Sequence, residues 1–130
     1  MARLSFQLYS ARKFDLATIL PHLASIGLTE LEGYGGLYDD LTTLRNNLDV
    51  NGLRITSGHF DFAMLRDSPE TAIDIARTLG LDAVIIPHLK PDQRPADFDG
   101  WQAFGQTLAQ LCAPVIDAGL TFGWHNHDFE

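Results

Sequence analysis

Apolar residues recur at helical spacing in four stretches of the chain, and short runs of strand type lie between them. Leu16, Ile19, Leu20, Leu23 and Ile26 predict a helix over residues 15–26, with Pro21 expected to kink it. A second helix is predicted over 39–50. A third starts at Ser68-Pro69-Glu70: a serine N-cap, a proline at the first helical position and an acid at the positive end of the dipole. It runs to Leu79. The fourth, over 101–118, carries Phe104, Leu108, Leu111, Cys112 and Val115 on one stripe, and Pro114 should bend it. Strands are predicted over 4–9, 29–33, 54–59 and 83–86, and from Leu120 onward. Ala83-Val84-Ile85-Ile86 is apolar on both faces, as in a strand covered on both sides. Residues 60–65 read as irregular or as a short helical turn, and 34–38 and 90–99 as loops.

A dipeptide punctuates this pattern: Gly27-Leu28, Gly52-Leu53, Gly80-Leu81 and Gly119-Leu120, at spacings of 25, 28 and 39 residues. Each follows a helical stretch and precedes a strand. Glycine accepts the left-handed backbone that ends a helix, and leucine opens the next strand. The fold class is therefore α/β: βα repeats with a parallel sheet, five strands and four helices in strict alternation. An open doubly wound sheet and the first half of an eight-stranded βα barrel both begin this way.

The 130 residues suit a single domain with a real core, and 45% hydrophobic against 20% charged is a globular composition. The net charge of -8, with nine Lys and Arg and no basic run, argues against nucleic acid as a partner. Cys112 is the only cysteine, so no intrachain disulfide forms, which fits a reducing compartment. No apolar stretch of the length of a signal core (about 7–15 residues) or a membrane span (about 18) is seen, and a cytoplasmic location away from membranes is expected.

The chemistry gathers at the end of the sequence. Along a strand through Gly123-Trp124-His125-Asn126-His127, the two imidazoles would share a face with Gly123, about 7 Å apart at roughly 3.4 Å per residue. Phe122 and Trp124 would face the core. Asp128 and Glu130 follow. Parallel α/β folds bind ligands at the C-terminal ends of their strands. Glu32 ends the second strand, His59 the third, His88 follows the fourth, and His125 and His127 end the fifth. Only His22, inside the first helix, falls elsewhere, as a surface or packing residue. For any one of these histidines, a solvated or structural role is the ordinary alternative. Imidazoles with carboxylates suit a divalent ion (Mn²⁺, Co²⁺, Zn²⁺ or Mg²⁺) or proton abstraction beside a carbonyl. Tyr34, Trp124, Phe60 and Trp101 offer aromatic walls for a sugar ring, core packing being the alternative. There is no Gly-x-Ser-x-Gly elbow around Ser57 and no phosphate loop.

The stretch Gly123-Trp124-His125-Asn126-His127-Asp128-Phe129-Glu130 resembles the HNHDFEF signature of sugar phosphate isomerase/epimerase-like proteins, within the xylose isomerase-like TIM-barrel superfamily. Residues 31–38 are similar to the strand-two loop of that group, and Ser57-Gly58-His59 to its strand-three end. The resemblance covers the whole chain. It implies a metal-assisted isomerase or epimerase of sugars or sugar phosphates that moves a proton next to a carbonyl through a cis-enediolate. His125 and Glu32 are then the candidate catalytic residues. His59, His88, His127, Tyr34 and Trp124 are the candidate substrate contacts, and His125 and Glu130 the candidate metal ligands. Many relatives carry a glutamate at the position of His125.

Relatives have eight strands, with further metal ligands and a second acid-base on strands six to eight. The expectation is thus the N-terminal half of a TIM (β/α)8 barrel, one partial domain over 1–130 that stops after strand five, inactive by itself. Its open edges would suit a homodimer. Rival readings are a self-associating half-barrel that binds sugar or metal without turnover, and a metal-dependent abasic-site endonuclease, which the acidic balance disfavours.

Overall fold

In a computed structural model that describes residues 3–130, strands and helices alternate except between the third and fourth strands, where two helices follow one another. The strands are β1 (Ser5–Gln7), β2 (Glu30–Gly33), β3 (Arg54–His59), β4 (Ala83–Ile86) and β5 (Thr121–Trp124). The helices are α1 (Leu16–Ser25), α2 (Leu41–Val50), α3 (Phe62–Asp67), α4 (Pro69–Leu79) and α5 (Phe98–Asp117). The strands form one all-parallel sheet in the order β1-β2-β3-β4-β5, which is half the circuit of a βα barrel. Each strand lies beside its successor, so β1 and β5 are the two edges.

The four Gly-Leu pairs do what the sequence suggested. Every one of these glycines has a positive φ: 88° at Gly27, 64° at Gly52, 71° at Gly80 and 82° at Gly119. The N–H of each following leucine reaches back to a carbonyl five residues earlier. Leu28 donates to Leu23, Leu53 to Leu48, Leu81 to Ala76 and Leu120 to Val115, at 2.8 to 3.2 Å. This is the Schellman ending, and all four accepting residues are buried. One local device therefore ends each main helix and aims the next strand into the sheet.

Several expectations are corrected. Among the described residues there are five helices, because of the two readings of residues 60–65 the short helical turn holds: Phe62–Asp67 forms a helix on an Asp61 cap, whose Oδ1 accepts the Ala63 N–H at 2.7 Å. β1 stops at Gln7, and Leu8–Ala11 tightens into a 3-10 turn. Ser68 makes no side-chain cap, although Pro69 does open α4. α5 starts at Phe98, not Trp101, because Asp97 accepts the Gly100 N–H at 2.8 Å. β5 ends at Trp124, short of both histidines.

The core lies between the sheet and the helices, around Leu31, Ile55, Val84 and Ile86 on the strands and Leu20, Leu48, Leu79 and Val115 on the helices. On that side β2 and β3 present Gly33 and Gly58, and the Tyr38 ring lies over them, stacked on Phe60 with centroids 5.0 Å apart. The Tyr38 hydroxyl is buried and finds no hydrogen-bond partner among the described residues. An unpaired buried hydroxyl is a cost, so Tyr38→Phe should leave stability unchanged or raise it by up to about 1 kcal/mol. A thermal melt showing a clear loss would reveal a partner for that hydroxyl.

Candidate active site

Strand parity and register build the site on the opposite face of the sheet. Gln7 is paired in register with Glu32, and Glu32 with Ser57; His59 then pairs with Ile85, and Ile85 with Gly123. The register between β2 and β3 shifts at Leu31/Glu32, skipping Thr56. That shift brings Glu32 level with Ser57, so both side chains emerge on the face that also carries His59.

Glu32 is the hub of this face. Its Oε1 accepts the Gln7 amide at 2.9 Å, and its Oε2 accepts the Ser57 hydroxyl at 2.7 Å. The Nε2 of His59 stands 3.0 Å from Oε1, but its N–H direction is not aligned for a good hydrogen bond. His59 as a residue is only 8% exposed. The imidazole at Glu32 first, then Ser57 and Gln7, hold the carboxyl down to about 2 against the opposing effect of burial.

The sign of the resulting pH dependence is fixed. The folded carboxyl binds its proton more weakly than the unfolded one, so its contribution is complete above its ordinary value of 4.5 and is lost as pH falls towards about 2. Urea midpoints should fall through that window, and Glu32→Gln should flatten the fall. An unchanged slope in that variant would place the acid sensitivity elsewhere.

A cleft of about 390 Å³ opens at the C-terminal ends of the strands. His59, His88, His125, His127 and Tyr34 line it, and Phe60, Asp61 and Phe129 join them. The His125 N–H donates to the Ile86 carbonyl at 2.9 Å, extending the β4–β5 ladder by one bond. From there the imidazoles form a row. His59 meets His125 edge to face at 5.3 Å, His125 meets His127 at 4.9 Å, and His127 meets His88 at 6.0 Å, all between centroids. The expected 7 Å strand spacing of His125 and His127 does not hold, because the chain leaves the strand at Trp124 and folds the second ring back over the first.

Three candidates sit differently from expectation. Glu32 does not line the cleft but stands behind His59. Trp124 turns to the helix side, the core face that strand parity gives it and not the place of a substrate contact, and packs edge to face on Phe104 of α5 at 5.1 Å. Glu130 is turned inward, with its carboxylate on the backbone N–H groups of Leu89 and His127. Among the described residues no three His, Cys, Asp or Glu side chains converge as a metal ion requires. Among the described residues, His125 and Glu130 are therefore not joined by a third ligand.

Sequence reasoning passed over Gln7 and Ser57 as partners of Glu32, and Asp61 and Phe129 as walls. Ser57 and His59 share a strand parity, which was the available signal. Asp61 and Phe129 follow from loop geometry, which parity does not describe.

Comparison with solved structures places the fold. A sugar phosphate isomerase/epimerase from Parabacteroides distasonis superimposes with a TM-score of 0.76 at 23% identity, over 96% of this chain and 51% of that one. A xylose isomerase domain containing protein from Salmonella typhimurium LT2 gives 0.69 at 12%, over 94% and 48%. The chain has the fold of about half of a TIM barrel. An AP endonuclease, family 2, from Brucella melitensis gives 0.75 at 14%, over 95% and 55%. An IOLI protein solved with a zinc atom gives 0.67 at 15%, over 95% and 51%. The chain thus spans about half the length of these structures. No family model matches it, and no curated protein matches it significantly. Among the described residues no helix is long and apolar enough to cross a membrane.

Proposed function

We propose that the cleft binds a sugar or sugar phosphate and carries part of an isomerase or epimerase site that moves a proton next to a carbonyl. The observation that carries this reading is the row of four imidazoles along one cleft, backed by an ionised carboxylate. Proton transfer at a carbon beside a carbonyl needs a base near neutrality and donors for the enediolate oxygens. His125 is exposed in the cleft and is assigned as the base. His88 and His127 are assigned to substrate hydroxyls. Glu32 orients His59 from behind, as a carboxylate orients an imidazole in other proton-transfer sites. Tyr34, packed edge to face on Tyr9 at 5.2 Å, supplies an aromatic wall. Trp124 belongs to the core in this reading.

The test uses D-ribulose 5-phosphate as probe. Histidine ring signals are followed by NMR during titration, and solvent deuterium uptake beside the carbonyl is followed with time. Shifts at His88, His125 and His127 with uptake abolished by His125→Ala would support the proposal. Shifts without uptake would favour a sugar-binding module that lacks turnover, which is the second reading because the chain spans half of its structural neighbours. No shift would remove both. Nicking of abasic DNA would revive the endonuclease reading, against the net charge of -8.

A cytoplasmic setting fits the lone Cys112, which is free. The free edges of β1 and β5 favour pairing of two copies, since open edges invite strand addition. A single monomeric species at every concentration in sedimentation velocity would count against pairing.

A further inference from the structure

One carboxylate joins the segment after β5 to the loop after β4. The Glu130 side chain is 1% exposed. Its Oε1 accepts the Leu89 N–H at 2.6 Å, and its Oε2 accepts the His127 N–H at 3.0 Å. The Glu130 N–H returns the bond to the His127 carbonyl at 3.1 Å. The turn is closed reciprocally, as in a capping box. Arg94 holds the same loop from its other side. Its Nε donates to the Leu89 carbonyl at 3.0 Å, and its guanidinium lies 4.1 Å over the Phe129 ring. Phe129 in turn stacks on His127, with centroids 4.9 Å apart and planes 4° from parallel.

Leu89 is thus held at both its N–H and its carbonyl, and it is wholly buried beside His88. A buried carboxylate is tolerated only when hydrogen-bonded, and here both oxygens are engaged by backbone N–H groups. The His127 Nδ1, 3.6 Å from Oε2, is beyond hydrogen-bond reach and has no partner among the described residues.

We infer that Glu130 is a positioning residue: it clasps the two loops so that the His88 and His127 rings face each other across the cleft, and it is not a metal ligand. The clasp belongs to the unliganded chain and does not depend on which ligand the cleft takes.

The decisive experiment is NMR on the labelled wild-type chain. Scalar couplings across hydrogen bonds are expected from the Leu89 and His127 amide nitrogens to the Glu130 side-chain carboxyl carbon. Their absence in a well-dispersed spectrum would overturn the inference without any variant. Glu130→Gln turns one acceptor into a donor, so one coupling should vanish and the His88–His127 ring contact should be lost. The His59–His125 ring contact should persist. Loss of both ring contacts would indicate general loosening, and retention of both would show the clasp to be idle; either result overturns the assignment.

Discussion

Replacing Glu32 by alanine is expected to lower the unfolding free energy by about 2–3 kcal/mol, because two donors lose their common acceptor and His59 loses the carboxylate beside it. Gln7 and Ser57 now donate to its two oxygens, and His59 stands 3.0 Å away. The Glu32 side chain is only 22% exposed, so water replaces the carboxylate poorly. Urea unfolding at neutral pH with an unchanged denaturant slope would give the number. The functional effect should exceed the stability effect. With its neighbour gone, His59 is free to rotate, and its edge-to-face contact with His125 at 5.3 Å should weaken in the NMR spectrum. Glu32→Gln keeps the shape but places an amide NH₂ against a donor, so about half the loss is expected. Alanine and wild type of equal stability would show that the hub is not holding these groups.

Gly58→Ala is the second large effect, and it acts through the core. A Cβ at Gly58 would run into the Tyr38 hydroxyl, and would lie 2.9 Å from Leu81 Cδ1 and 3.1 Å from Phe60 Cε2. All three neighbours are buried, with Phe60 and Tyr38 stacked on each other, so none can yield without moving the next. Overpacking of this kind costs about 1–3 kcal/mol, and the upper end is expected because Gly58 is fixed between two sheet neighbours. The double variant Gly58→Ala with Tyr38→Phe removes the atom in closest contact and should recover part of the loss. If the single variant melts with the wild type, the Tyr38 ring does not pack over β3 as described. Because Gly58 lies between Ser57 and His59, the same substitution should also disturb the cleft.

The elements were legible because their signals are local. β3 and β4 fall on the predicted residues, since Arg54–His59 and Ala83–Ile86 are bounded by turn residues on both sides. The helix ends were legible at the four glycines, whose positive φ is a property of one residue and its neighbours. The starts were less so. At Ser68 the residue type predicts a cap, yet its side chain makes none, and proline at the next position suffices. At Asp97 the apolar periodicity predicts a later start, but the aspartate cap sets the helix start.

By itself, the sequence determined the succession of strands and helices, the glycine ends of the main helices and the gathering of His59, His88, His125 and His127 at the strand ends. Spacing and backbone preference act over a few residues, so they can be read without knowing what packs on what. Only the tertiary structure decided which group meets which within that gathering. The shift at Leu31/Glu32 set Glu32 on Gln7 and Ser57, and the end of β5 at Trp124 folded His127 back over His125. The 41-residue reach from Glu130 to Leu89 turned a candidate ligand into a clasp. Such contacts depend on register and on segments far apart in the chain, and neither is encoded in the period of a hydrophobic pattern.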